Sequence, residues 1–124
     1  MSQVSSAAEG EWHLVCALDA LEPERGVTAL IHGQGIAIFR MPDDQVYALG
    51  NHDPYARASA IARGIVGFRD DVPFVASPSH RHPFDLRTGR CLDDPSVRVP
   101  AYETKVVDGQ VYVGARKVRA SAAS

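Results

Sequence analysis

Turn-forming residues recur along this chain at intervals too short for a run of ordinary helices. Gly26, Gly33-Gln34-Gly35, Pro42-Asp43-Asp44, Arg87-Thr88-Gly89 and Asp108-Gly109 each mark a reversal. The segments between them are rich in β-branched and aromatic residues: Trp12–Leu18, Val27–His32, Ile36–Arg40, Val46–Leu49, Phe74–Ala76, Val97–Val99, Thr104–Val107 and Val111–Val113. Several alternate with period two, as in Lys105-Val106-Val107 and Val111-Tyr112-Val113. Short strands in close succession predict an all-β chain built as an antiparallel sandwich or barrel. Asp108-Gly109 is the strongest hairpin signal, because a type I′ turn needs positive φ at both central residues and this pair adopts it at low cost. Gly33-Gln34-Gly35 is expected to close a second hairpin.

One stretch departs from this rhythm. Residues Asn51 to Val72 read as a long loop without strands, with a short helical segment at Ala56–Ala62. Such loops often carry function. The small polar stretches 1–10 and 116–124 read as flexible tails, which leaves one domain over 11–115. With 124 residues, 45% of them apolar, that domain can bury a real core. A net charge of -2 gives no basic surface for nucleic acid. No apolar run is long enough to span a membrane, and the first residues do not have the pattern of a secretory signal, so a cytoplasmic location is expected. Cys16 and Cys91 stand far apart, outside any CxxC pattern, and read as buried thiols. No GxGxxG, P-loop, GxSxG or HExxH is present.

Two loops each carry a proline after a strand. The first is Asn51-His52-Asp53-Pro54-Tyr55. The second is Ser77-Pro78-Ser79-His80-Arg81-His82-Pro83, which runs on into Phe84-Asp85-Leu86-Arg87-Thr88-Gly89-Arg90-Cys91-Leu92. This frame resembles the Rieske family, which binds a [2Fe–2S] cluster on a C-P-H loop and a C-P-x-H loop followed by F-D-x-x-T-G. Pro54 and Pro78 match the two prolines, and Phe84, Asp85, Thr88 and Gly89 follow at the family's spacing. The resemblance implies a Rieske-like antiparallel sandwich or barrel with two former cluster-binding loops. The ligand positions are depleted. Asp53 and Ser77 stand where the cysteines belong, Tyr55 stands at the first histidine, and only His80 is still a ligand type in place. A cluster of this kind needs thiolates on one iron and two imidazoles on the other, so none is expected here.

Within the Rieske-like chains, the D-P-Y segment is similar to the small subunits of cytoplasmic NAD(P)H-dependent nitrite reductases. That resemblance implies a partner, the large subunit, which carries FAD, an Fe–S centre and sirohaem and reduces nitrite to ammonium in assimilation. This chain would carry no cofactor, no metal and no catalytic residue, and would act by association. A free-standing Rieske-like binding or regulatory module is the alternative, with a Rieske-type ferredoxin behind it. In place of a cluster, Asp53, Tyr55, Ser77 and His80 are expected to tie the loops through a polar network, against the plainer reading of solvated loop residues. His52, Asp53, His80 and His82 offer ligand types for a mononuclear metal, although His80 and His82, two apart in an extended chain, face opposite ways. Tyr55, Arg57, Arg63 and Phe68 form a candidate partner surface, since interfaces favour aromatics and arginine. The competing reading is a core-covering loop with solvated arginines.

Overall fold

Ile36, Ala37, Ile38 and Phe39 are consecutive and all buried, so their strand needs apolar cover on both faces. The structure, a computed structural model, describes residues 12–78 and 81–117. Its strands, in chain order, are β1 (His13–Ala17), β2 (Gly26–Ile31), β3 (Gln34–Arg40), β4 (Val46–Gly50), β5 (His52–Asp53), β6 (Ala58–Ser59), β7 (Ile65–Arg69), β8 (Val72–Ala76), β9 (Pro83–Asp85), β10 (Ala101–Val107) and β11 (Gln110–Arg116). All pairings between them are antiparallel.

The first cover is the curl of β3's own sheet. Six strands pair in the order β1-β11-β10-β4-β3-β2. Ile36 and Ile38 point inward to Leu21, Val46, Ala48, Val111 and Val113. The sheet nearly closes on itself, and the His13 ring, at the start of one edge strand, meets His32, just past the end of the other, edge to face at 4.7 Å. The second cover is a separate meander, β7-β8-β9. Ala37 and Phe39 point the other way, into a core of Leu49, Ile61, Val75, Phe84, Leu86, Cys91 and Val99. β3 and β4 thus form a wall between two cores, and the smaller sheet with its loops packs on the wall's outer side.

The hairpins follow local chemistry. His32-Gly33, Asp70-Asp71 and Asp108-Gly109 all have positive φ at both residues, the signature of type I′ turns. The Asp108-Gly109 turn is as the sequence predicts. The second expected turn sits one residue earlier: Ile31 pairs with Gln34, so Gln34 and Gly35 belong to β3.

The stretch 51–72 differs from its expectation. It holds β5, β6 and β7, and no α-helix forms at Ala56–Ala62. Asn51 is the reason. Its carbonyl accepts from the Ala60 and Ile61 amides, at 3.0 and 3.1 Å, and its Oδ1 accepts from the Ala62 amide at 2.8 Å. These amides are thereby taken from any helix. What remains is one 3₁₀ turn, Ile61–Arg63, that buries Ile61 and Ala62. Val97–Val99, expected as a strand, makes only an isolated bridge between Arg98 and Arg90. β11 runs to Arg116 and the Lys117 amide donates to the Ala101 carbonyl at 2.7 Å, so the first two residues of the tail expected at 116–124 continue the sheet; the rest of it, and the tail expected at 1–10, lie outside the described residues. Both cysteines are free thiols; Cys91 is buried as expected, whereas Cys16 is half-buried.

Candidate functional site

The two prolines sit at the tips of loops that close in the same way. In the first loop Asp53 is fully buried. Its Oδ1 accepts from the amides of Tyr55 and Ala56, at 2.9 and 3.3 Å, and the Arg57 amide donates to the Asp53 carbonyl at 2.7 Å. In the second loop Ser77 is fully buried. Its Oγ accepts from the His82 amide at 3.3 Å, and the Arg81 amide donates to the Ser77 carbonyl at 2.8 Å. Each turn therefore starts on a buried oxygen-bearing residue and ends four residues later on an arginine with left-handed backbone, φ 56° at Arg57 and 58° at Arg81. Pro54, Arg57, Pro78 and Arg81 are exposed.

Asp53 carries one imbalance. Its Oδ2 is buried and has no hydrogen-bond partner among the described residues. A buried carboxylate oxygen without a donor is costly. Asp53→Asn keeps an acceptor for the two amides and removes the charge, so it is expected to change stability by less than about 1 kcal/mol, whereas Asp53→Ala loses the turn's acceptor and is expected to cost about 1–2 kcal/mol. Urea unfolding of both variants measures the difference.

A stacked pair joins the loops. The Tyr55 ring lies on the His82 ring with centroids 3.5 Å apart and planes 7° from parallel. The Tyr55 hydroxyl donates to Cys91 Sγ at 3.6 Å, and Phe84 flanks the ring at 6.2 Å between centroids. Burial, then the hydrogen bond to the Cys91 thiol, push the phenol up to about 12, so Tyr55 stays neutral at physiological pH. Phe84, at the F of the F-D-x-x-T-G segment, is fully buried beneath the pair.

The expected site residues are distributed as follows. Asp53, Tyr55 and Ser77 come together on the two loops, and His80 lies outside the described residues. No side-chain hydrogen bond joins Asp53, Tyr55 and Ser77 to one another among the described residues. Asp53 and Ser77 each satisfy their own loop's backbone, and the connection between loops is aromatic. Residues that the sequence reading did not assign to this connection carry it: His82, Cys91 and Phe84. Only the motif position of Phe84 hinted at it. Of the mononuclear metal set, His52 is exposed while its neighbour Asp53 is buried, on opposite faces of β5. No group of three His, Cys, Asp or Glu placed to hold a metal occurs among the described residues. Of the candidate partner surface, Tyr55 and Arg57 are on the first loop. Arg63 lines a groove with Glu24, Arg25 and Gly26, and Phe68, 55% exposed, projects from β7.

This is the architecture of a Rieske-like [2Fe–2S] domain, a family that matches residues 11–114. A nitrite reductase (NADH) small subunit of Escherichia coli K12 is 38% identical over 102 residues, which covers 82% of this chain and 94% of that protein. The chain belongs to the nitrite reductase small-subunit family of Rieske-like domains. The solution structure of a nitrite reductase [NAD(P)H] small subunit from Erwinia carotovora is 44% identical, with a TM-score of 0.71, over 86% of this chain and 83% of that one. A nitrite reductase [NAD(P)H] large subunit of Klebsiella oxytoca is 37% identical over 123 residues, 94% of this chain but 13% of that protein.

The donor set of this small-subunit relative does not fit the [2Fe–2S] cluster in the wider family's description. The two cysteine positions hold a carboxylate and a hydroxyl, both bonded to backbone amides. The first histidine position holds a phenol turned toward Cys91. The site offers iron no thiolate from either loop.

Proposed function

We propose that this chain is the small subunit of a cytoplasmic NAD(P)H-dependent nitrite reductase that serves nitrogen assimilation. In this reading it carries no redox centre and no catalytic residue. It acts by binding the large subunit, where FAD, an Fe–S centre and sirohaem reside, and its contact surface draws on Tyr55, Arg57, Arg63 and Phe68. The observation that carries the reading is the closure of both former cluster loops by the protein's own groups: Asp53 and Ser77 on backbone amides, and Tyr55 on His82. Both loops are braced by the chain's own groups, so retention of the frame favours a surface over electron transfer. The related segment inside the Klebsiella large subunit supports pairing, since a domain fused in one protein is a natural subunit in another. No helix among the described residues is long and apolar enough to cross a membrane, in keeping with the proposed location.

The test is purification of the tagged full-length chain from its native host. A flavin- and sirohaem-containing protein is expected to co-purify, and the chain separated from it is expected to hold neither iron nor acid-labile sulfide. Absence of sirohaem absorbance in the complex would overturn the subunit assignment. Stoichiometric iron and sulfide in the isolated chain would overturn the redox-silent role.

A further inference from the structure

Arginines outnumber every other cation in this chain, and most of those near acids are paired. Arg25 pairs with Glu22, Arg40 with Asp44, Arg69 with Asp93 and Arg87 with Asp85. Arg57 and Arg81 differ. Both are exposed, and neither guanidinium makes an ion pair or hydrogen bond among the described residues. They occupy equivalent positions, each closing its loop four residues after the buried Asp53 or Ser77. Arg57 is two residues from Tyr55 and Arg81 is next to His82, so the two cations flank one stacked pair whose rings are 3.5 Å apart.

Two further observations point outward. Left-handed backbone is costly for a residue with a side chain, and glycine or asparagine adopts it more easily. Arginine nevertheless stands at both positions, so neither is chosen for the turn alone. Of the acids near the stack, Asp93 pairs with Arg69, Asp94 accepts from the Ser96 amide and hydroxyl, and Asp53 is buried on its own amides, so none forms an ion pair with Arg57 or Arg81 among the described residues. A chain of net charge -2 thus presents two exposed arginines without an ion-pair partner among the described residues at one apex, next to exposed Pro54 and Pro78 and a half-buried aromatic. Arginine and tyrosine beside rigid, small-area prolines make a surface that loses little entropy on contact.

We infer that this apex is the docking face, and that Arg57 and Arg81 grip an acidic patch of the large subunit on either side of the Tyr55–His82 stack. The inference rests on the small-subunit reading above and names the surface and its charge. Arg63 and Phe68 are not required by it.

The experiment measures binding of the full-length chain to the purified, cofactor-loaded large subunit at low and at raised salt. Arg57→Glu with Arg81→Glu is expected to weaken binding about tenfold or more at low salt and to flatten the salt dependence, because charge reversal removes the steering as well as the contact. Arg57→Lys with Arg81→Lys is expected to stay within a few fold of wild type. Arg90→Glu with Arg116→Glu, at two other exposed arginines, makes the same change in net charge and is the control for it. Both loop side chains are exposed, so unfolding curves of the reversal variant are expected to match wild type. If wild type binds and the loop double reversal binds as well as the control double reversal does, the docking face is wrong while the subunit reading stands. If the double reversal instead changes self-association of the isolated chain, the occupant is a second copy and the inference falls. If wild type does not bind the large subunit, the subunit reading fails and this inference with it.

Discussion

Tyr55→Ala is expected to lower the unfolding free energy by about 2–3 kcal/mol, as loss of a half-buried aromatic and its stacking partner would. The ring is the piece that spans the two loops, with His82 on its face, Phe84 at its flank and Cys91 at its hydroxyl. Tyr55→Phe isolates the hydroxyl. A thiol is a weak acceptor, so the phenylalanine variant is expected to lose no more than about 1 kcal/mol. Urea unfolding monitored by fluorescence separates the two, and equal losses would mean that the hydroxyl and not the stack holds the loops. The pH dependence adds a second readout. The folded-state phenol lies at about 12, above the ordinary tyrosine value near 10. A group whose folded pKa is raised contributes its stability fully below the unfolded value and loses it as pH rises through the folded one. Wild type is therefore expected to lose stability between pH 10 and 12 more steeply than Tyr55→Phe.

The loop positions were legible in the sequence, and their connection was not. Asp53 and Ser77 precede prolines at the family's spacing, so their place could be inferred from order along the chain, while their full burial could not. The contact between Tyr55 and His82 joins residues 27 apart (82 − 55) with no shared local pattern. It depends on how β8 and β9 present the second loop to the first, which the wall of β3 and β4 decides. Four polar residues on neighbouring loops suggested mutual hydrogen bonds. In the structure, backbone amides reach Asp53 and Ser77 first, because those donors are local and already held in the turn.

The same division applies to the strands. Asp108-Gly109 announces its turn because two left-handed residues in succession are cheap only for such pairs. β7 was hidden. Arg63-Gly64-Ile65-Val66-Gly67-Phe68 has glycine where an alternating strand would show side chains, and its exposed Ile65 and Phe68 obscure which face is inward. Packing explains the first glycine: a Cβ on Gly64 would stand 2.4 Å from the Ala76 carbonyl oxygen. The helix expected at Ala56–Ala62 does not form because three hydrogen bonds to Asn51 take its amides, and intrinsic helix preference is too weak to compete with them.

Gly89→Ala is expected to cost at least about 3 kcal/mol, and Gly109→Ala is the measure against which to read it. Both glycines have left-handed backbone, φ 82° and 75°. Alanine at Gly109 meets nothing within 4 Å, so it incurs only the conformational penalty, about 1 kcal/mol. Alanine at Gly89 would place its Cβ 2.0 Å from the Val99 carbonyl oxygen, and that oxygen belongs to backbone that cannot swing away like a side chain. The contact is fixed from both sides. The Gly89 amide donates to the Asp85 carbonyl at 2.7 Å, and the Val99 amide donates to the Gly89 carbonyl at 2.8 Å. The same turn is braced by Asp85, whose Oδ1 takes the Arg87 amide at 2.8 Å, and by Thr88, whose Oγ1 takes the Arg90 amide at 3.1 Å. Moving Val99 would disturb Cys91 and Phe84 in the core they share, and with them the floor beneath Tyr55. The F-D-x-x-T-G segment is therefore a structural brace for the loops, and its glycine is required by space as well as by φ. Denaturation of the two variants side by side decides it: equal losses would show that the close approach to Val99 relaxes at no cost, and that φ alone makes glycine necessary at position 89.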